Sequence, residues 1–209
     1  MGSEQEIAER VGVKPLLPAR QPASERVSRT ARRLFYRRGI RAVGVEEIVA
    51  EAGVTKPSLY RSFSSKDALI ANCLQVRFDR IMGWWDDLEL RTPGDPLARL
   101  RTLISEVARE TRSPTHRGCA LTNAAVEFPE PGHPARTIAE SYKGAMRARL
   151  IALVEQLPVP EPVLLADGII LLFEGARASR HTSGAQGPAA SMEAVANALL
   201  DAFLAASPA

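Results

Sequence analysis

Four side chains that donate hydrogen bonds or carry positive charge, Lys56, Ser58, Tyr60 and Arg61, fall within six consecutive positions of this 209-residue chain. Their chemistry is that of contact with a polyanion. Ammonium and hydroxyl groups donate to phosphate oxygens, and a guanidinium can donate two N–H groups at once to a base edge. Two apolar residues, Leu59 and Phe63, interrupt the polar series at the four-residue spacing of one helix face, so the group can be anchored while its polar side faces outward. What must position it is written just upstream. Ile48, Val49 and Ala52 repeat at helical spacing, Gly53 follows where that helix must stop, and Thr55 stands where it can cap a second helix. The run VEEIVAEAGVTKPSLYRSF, Val45 to Phe63, therefore has the layout of a helix-turn-helix.

At these residues the chain resembles the TetR family of transcriptional regulators, whose N-terminal domains typically carry an AGVSKGTLYxxFxSKEAL-like run. Ala52, Gly53, Val54, Thr55, Lys56, Ser58, Leu59, Tyr60, Phe63, Ser65, Lys66, Asp67, Ala68 and Leu69 match it identically or conservatively. Pro57 departs from the glycine of many members. It lies in the first turn of the helix, where a missing N–H breaks no intrahelical bond. The resemblance is dense over Ala23 to Asn72, about a quarter of the chain, and only architectural beyond. Carried over position by position, it implies that Lys56, Pro57, Ser58 and Arg61 face bases while Thr55, Tyr60 and Lys66 hold the DNA backbone. Arg61 is the expected reader of guanine, its planar fork matching O6 and N7. Arg41 and Gly44, just before the first helix of the motif, are added as phosphate contacts. Two alternatives stay open: Tyr60 packing its ring, and Arg61 pairing with Asp67 or remaining solvated.

Charge is unevenly distributed in a way that fits this reading. Residues 20–80 hold 13 Lys and Arg against 6 Asp and Glu, which leaves 14 and 18 for the rest of the chain. The basic end is thus the expected nucleic-acid end, although arginine-rich helix faces can also be plain solvated surface. Cys73 and Cys119 lack the neighbours of a zinc or redox motif and fit a reduced, cytoplasmic protein. His116, Cys119 and His133 lack the second paired motif of a metal site, so no metal is assigned. The longest wholly apolar run, 168–173, is far short of the ~20 residues of a membrane span, and no cleavable leader is visible. An all-helical enzyme using His116, Glu127, His133 or His181 as acid or base is the rival from another class. With no nucleophile, paired-carboxylate or glycine-loop motif beside them, no catalytic residue and no cofactor is assigned.

The length admits one domain or two small ones sharing a long element. Residues 1–22, with Pro15, Pro18 and Pro22, read as a mobile extension with at most a weak turn around Ile7 to Val11; Lys14 and Arg20 could alternatively reach a minor groove. A first helix starts near Ser24 and ends at Gly39, helix two spans Val45 to Glu51 and helix three Lys56 to Phe63. A fourth begins near Lys66 and runs about 25 residues to Thr92-Pro93-Gly94, long enough to join a DNA-binding domain, 23–70, to a C-terminal body, 71–209. Five further helices follow: one around Leu97 to Val107, then Gly118 to Glu127, Ala135 to Leu157, Val163 to His181 and Met192 to Ala206. The expected fold class is all-α, about nine helices with no period-two strand pattern, as the family resemblance also implies.

Specific DNA recognition by so short a helix calls for a two-fold homodimer on palindromic double-stranded DNA, the two heads about one helical turn apart or a multiple of it. Leu164, Leu165, Gly168, Ile169, Leu172 and Gly175 in helix eight, with Leu199, Leu200 and Phe203 in helix nine, are the candidate interface; an intramolecular core is the alternative. The resemblance implies a small effector that binds the C-terminal body and releases DNA. Phe78, Met82, Trp85, Cys119, Asn123, Phe128, Tyr142, Met146, Phe173 and Arg177 are the candidate lining of an apolar pocket with a few polar groups, for an aromatic or lipid-like molecule. The same residue types also make ordinary core. A constitutive DNA binder, or an activator, is the closer rival, and a filled interior would favour the constitutive binder.

Overall fold

The computed structural model describes residues 21–206, and every regular element among them is helical. Residues 1–20 of the predicted mobile extension, with its arm residues Lys14 and Arg20, lie outside the described residues. The elements are α1 (Ala23–Arg38), α2 (Val45–Ala52), α3 (Lys56–Ser62), α4 (Lys66–Arg91), α5 (Pro96–Arg112), α6 (Ala120–Glu127), α7 (Pro134–Val154), α8 (Pro162–Ser183) and α9 (Met192–Ala205), with a 3-10 turn at Pro188–Ser191 leading into α9. The all-α expectation and the order of nine helices hold among the described residues.

Local chemistry sets most boundaries of the head. Gly53 ends α2 by adopting φ 62°, ψ 43°, a left-handed conformation favoured by glycine, and its N–H returns to the Ala50 carbonyl at 3.2 Å. Thr55 Oγ1 then accepts from the Ser58 N–H at 3.3 Å, and Ser65 Oγ accepts from the Ala68 N–H at 3.0 Å, opening α3 and α4. Two boundaries in the body differ from expectation. Helix α6 starts at Ala120 because Gly118 has φ 76°, outside the helical region. Helix α7 stops at Val154 although Leu157 is still buried, because Pro158 disfavours a helical conformation at the residue before it.

Two buried apolar clusters make the core. The first joins Val27, Ala31 and Leu34 of α1 to Ile48, Leu59 and Leu69, and continues without interruption into Leu121 and Ala124 of α6 and Ala139 and Tyr142 of α7. The second gathers Trp85 and Leu88 with Leu100, Leu103, Leu153, Leu165, Ile169 and Leu200 from α5, α7, α8 and α9. Helix α4, 26 residues or about 39 Å at 1.5 Å per residue, contributes to both. The head is therefore packed directly on α6 and α7 as well as carried by α4.

Candidate nucleic-acid interface

Helix α3 has one buried residue, Leu59, which is fully enclosed; Phe63 just beyond it packs against the same core. Lys56, Pro57, Tyr60, Arg61 and Ser62 are exposed, with Tyr60 at 43%, and Ser58 is half-buried. A polar helix propped by one apolar side chain presents the rest of its circumference to a partner. Among the described residues Arg61 forms no ion pair, and Asp67 lies instead 3.9 Å from His133. Lys56 Nζ donates to Glu46 at 2.5 Å; this bond, followed by the Coulomb attraction, raises the Lys56 pKa, while chiefly the same bond lowers that of Glu46. A phosphate reaching Lys56 must compete with that carboxylate.

The remaining DNA-contact candidates sit in more structured surroundings. Thr55 is the cap of α3, and Gly44 opens α2 with its carbonyl accepting from the Ile48 N–H at 3.2 Å. Lys66 is half-buried, its Nζ donating to the Ile40 carbonyl at 3.0 Å. Arg41 is held by the body: its Nε donates to the Glu127 carbonyl at 2.7 Å, its guanidinium reaches Glu130 at 3.4 Å, and it lies 4.9 Å above the Phe128 ring. Arg41 and Lys66 thus share a shallow depression of about 470 Å³ with Asp67, Phe128, Glu130 and His133, a setting that joins head to body.

That joint was not anticipated. The Glu127 carboxylate at the end of α6 accepts from the backbone N–H groups of Ile40 at 3.0 Å and Arg41 at 2.8 Å, tying down the loop between α1 and α2. Tyr36 adds a second tie, its hydroxyl donating to the Gly118 carbonyl at 3.1 Å and accepting from the Arg117 N–H at 2.7 Å. Within the head, Arg33 pairs with Glu51 and Arg38 with Glu47, clamping α1 to α2.

The residues chosen for an apolar effector pocket are mostly packed together. Trp85, Cys119, Tyr142 and Phe173 are buried; Phe78 meets Tyr142 edge to face with centroids 5.6 Å apart; Trp85 Nε1 donates to Met146 Sδ at 3.0 Å; and Met82 lies against both clusters. Phe128 stacks on His133 at 4.2 Å. Arg177 pairs with Glu174 at 3.1 Å, and Glu174 also takes Lys143 at 2.8 Å; burial works against the Glu174 charge, but these cations outweigh it and keep its pKa below the usual value. Asn123 alone of the ten lines the large open cleft, about 900 Å³, which lies between α1, α4 and α6.

Of the dimer candidates, Leu165, Ile169 and Leu200 are fully buried in the chain's own core, and Gly168 faces Leu199 of α9, which a Cβ would approach to 3.1 Å. Leu172, Leu199 and Phe203 are half-buried. The exposed apolar line of α8 runs through Leu164, at 55%, Leu171, at 72%, and Gly175, with Val195 of α9 also exposed. Leu171 and Val195 escaped the sequence reading.

An all-helical protein whose helix-turn-helix presents a solvent-facing, polar second helix is a DNA-binding protein by architecture. The profile of the bacterial regulatory proteins of the tetR family matches residues 28–73. A crystal structure of a putative TetR-type regulator from Streptomyces avermitilis is 30% identical, with a TM-score of 0.74 over 88% of this chain and 98% of its own. A TetR-family regulator from Streptomyces coelicolor is 28% identical with a TM-score of 0.82, over 88% and 97%. The HTH-type transcriptional regulator YjdC of Escherichia coli (strain K12) is 26% identical across 148 residues, 69% of this chain and 76% of that protein. The chain belongs to the TetR family: it is a DNA-binding transcriptional regulator, not an enzyme. Among the described residues no helix is long and apolar enough to cross a membrane.

Proposed function

We propose that the chain acts in the cytoplasm as a homodimeric repressor, reading a palindromic operator with two copies of α3 and releasing it on binding a small effector. The exposed Lys56, Tyr60 and Arg61 and the half-buried Ser58, on a helix anchored by Leu59, carry this reading. Residues 23–70 would be the reading unit and 71–209 the pairing and sensing unit. Pairing is supported by the exposed apolar line Leu164, Leu171 and Gly175, which in water costs free energy that a second copy would recover. The close packing around Trp85, Tyr142 and Phe173 favours a second reading of the body, a DNA binder without an apolar effector among those residues.

Selection of binding sites from random duplexes is the direct test. Two inverted half-sites about one helical turn apart, or a multiple of it, are expected; single, unpaired sites would exclude the two-headed dimer. On the selected site, Arg61→Ala should relax preference at one base pair per half-site, at a cost of about 1–3 kcal/mol of discrimination. Equal losses on selected and random DNA would remove Arg61 from the reading role. A reporter placed behind the selected site gives the sign: increased expression on adding the regulator would replace repressor by activator.

A further inference from the structure

The open cleft at the head–body seam is strongly basic and is not accounted for by DNA contact. Helix α1 lends it Arg29, Arg32, Arg33 and Arg38, and α4 lends Arg77 and Arg80. Arg117 adds a seventh cation from the loop before α6, whereas Glu110 and Glu127 are the two carboxylates of the lining. Most of the compensation is already assigned. Arg33, Arg38 and Arg77 are paired with Glu51, Glu47 and Glu110, and Glu127 accepts the Ile40 and Arg41 amides. Among the described residues Arg29, Arg32, Arg80 and Arg117 form no ion pair.

A second observation concerns the wall of the same space. His116 lines the cleft, is 9% exposed, and its Nε2 is buried with no hydrogen-bond partner among the described residues. A buried polar atom left without a partner costs free energy, so a shift of this wall that gave it one would be favoured. Apolar wall comes from Phe35, Tyr36, Ile40, Leu74 and Val126. The volume, about 900 Å³, falls within the roughly 300–1,000 Å³ of small-molecule sites.

We propose that this cleft binds a small organic anion, bearing a phosphate or paired carboxylates on an apolar body, and that its occupancy alters operator affinity. Guanidinium groups pair with such anions through parallel N–H donors, and several in one concavity favour two or more negative charges over one. A duplex is the poorer fit: Glu110, Thr115, Val126 and His181 wall the space from the body side, and none of the nine DNA-contact candidates lines it. The coupling rests on the reading of the chain as a DNA-binding regulator. A ligand here touches α1 of the head together with α4 and α6, beside the Tyr36 and Glu127 ties, so it can bind one head position better than another.

The test uses the full chain at low ionic strength with 1-naphthyl phosphate as probe, and neutral 1-naphthol and inorganic phosphate as controls. Saturable binding of the naphthyl phosphate, at least about tenfold tighter than either control, is expected, with a further loss of about tenfold or more in the exposed-site variant Arg29→Gln/Arg80→Gln/Arg117→Gln. Circular dichroism should show the variant folded; should it not, Arg80→Gln alone must still weaken the probe. Equal affinity for naphthol, or binding that ignores these substitutions, overturns the site. Saturating probe should change affinity for the selected duplex by about fivefold or more in wild type, and no change overturns the coupling. Loss of duplex binding in the variant to the same degree as probe binding would reassign the arginines to DNA and end the proposal while leaving the DNA reading intact. Probe binding by a protein that ignores every duplex would instead overturn the proposed function and leave the anion site standing.

Discussion

Helix α3 and the head–body seam are both built around charged side chains at the protein surface, but the two differ in what those charges already hold. On α3, Arg61 and Tyr60 face solvent, and the helix's one ion pair among the described residues, Lys56 with Glu46, joins two exposed side chains. At the seam, the Glu127 carboxylate accepts two backbone amides, one of them from the buried Ile40, and the Tyr36 hydroxyl both donates and accepts. Exposed pairs contribute little to stability, whereas a carboxylate satisfying amides near a core is costly to remove. One surface keeps its hydrogen-bonding capacity for a partner, and the other has spent it on fixing where the first surface points.

The sharpest way to break the contrast is Leu59→Ala. Leu59 is fully enclosed and is the only buried residue of α3, so truncation should destabilise the protein by about 2–5 kcal/mol in denaturant titration and abolish operator binding with it. Undiminished binding by a stably folded Leu59→Ala protein would mean that α3 is positioned by something other than its anchor.

Glu127→Ala probes the other side and should cost less, about 1–3 kcal/mol, because amides of the α1–α2 loop lose their acceptor. Hydrogen exchange at Ile40 and Arg41 should quicken while the amides of α3 stay protected, since α3 is capped by its own Thr55. Faster exchange throughout α3 would show that the seam and the reading helix are one cooperative unit.

These two regions also differ in how far they were legible in the sequence. The head was readable because its determinants are local: Gly53, Thr55 and Ser65 act on amides within four residues, and Leu59 repeats to Phe63 in one turn. The seam joins Ile40 to Glu127 and Tyr36 to Gly118, 87 and 82 positions apart, and no periodicity links such pairs. Helix α8 failed in a different way. Its run Leu164 to Phe173 is apolar on most of its circumference, so spacing could not tell the inward Leu165 and Ile169 from the outward Leu164 and Leu171. The candidate effector pocket is illegible for a related reason: Trp85, Tyr142 and Phe173, which are buried, have the composition of a pocket lining and of a core, and only packing separates the two.

A smaller effect of opposite sign follows from Glu46. Removing its carboxylate should leave the unfolding midpoint unchanged within error, because the pair is exposed, yet free Lys56 for phosphate and raise DNA affinity by a few-fold. Glu46→Gln measured on the selected duplex decides it. Weaker binding would assign Glu46 a positioning role for Lys56 and blur the line drawn between the two surfaces.

The smallest expected effect is a pH response that belongs to the seam and not to α3, which contains no histidine. Burial, foremost, holds the His116 pKa below its ordinary 6.5; Glu110 pulls it up, while Arg177, Arg180 and His181 push it down. The unfolded chain therefore takes up this proton at a higher pH than the folded one. Stability should be unaffected by His116 well above pH 6.5, should decline as pH falls below that value, and should level off once the folded form is protonated as well. The slope from this one group cannot exceed about 1.4 kcal/mol per pH unit, the limit for a single proton. Comparing wild type with His116→Asn isolates it, since every other titrating group is common to both. A variant that loses stability on acidification as steeply as wild type would show that His116 accepts its proton in the folded protein at no cost, and no pH response would then set the seam apart from α3.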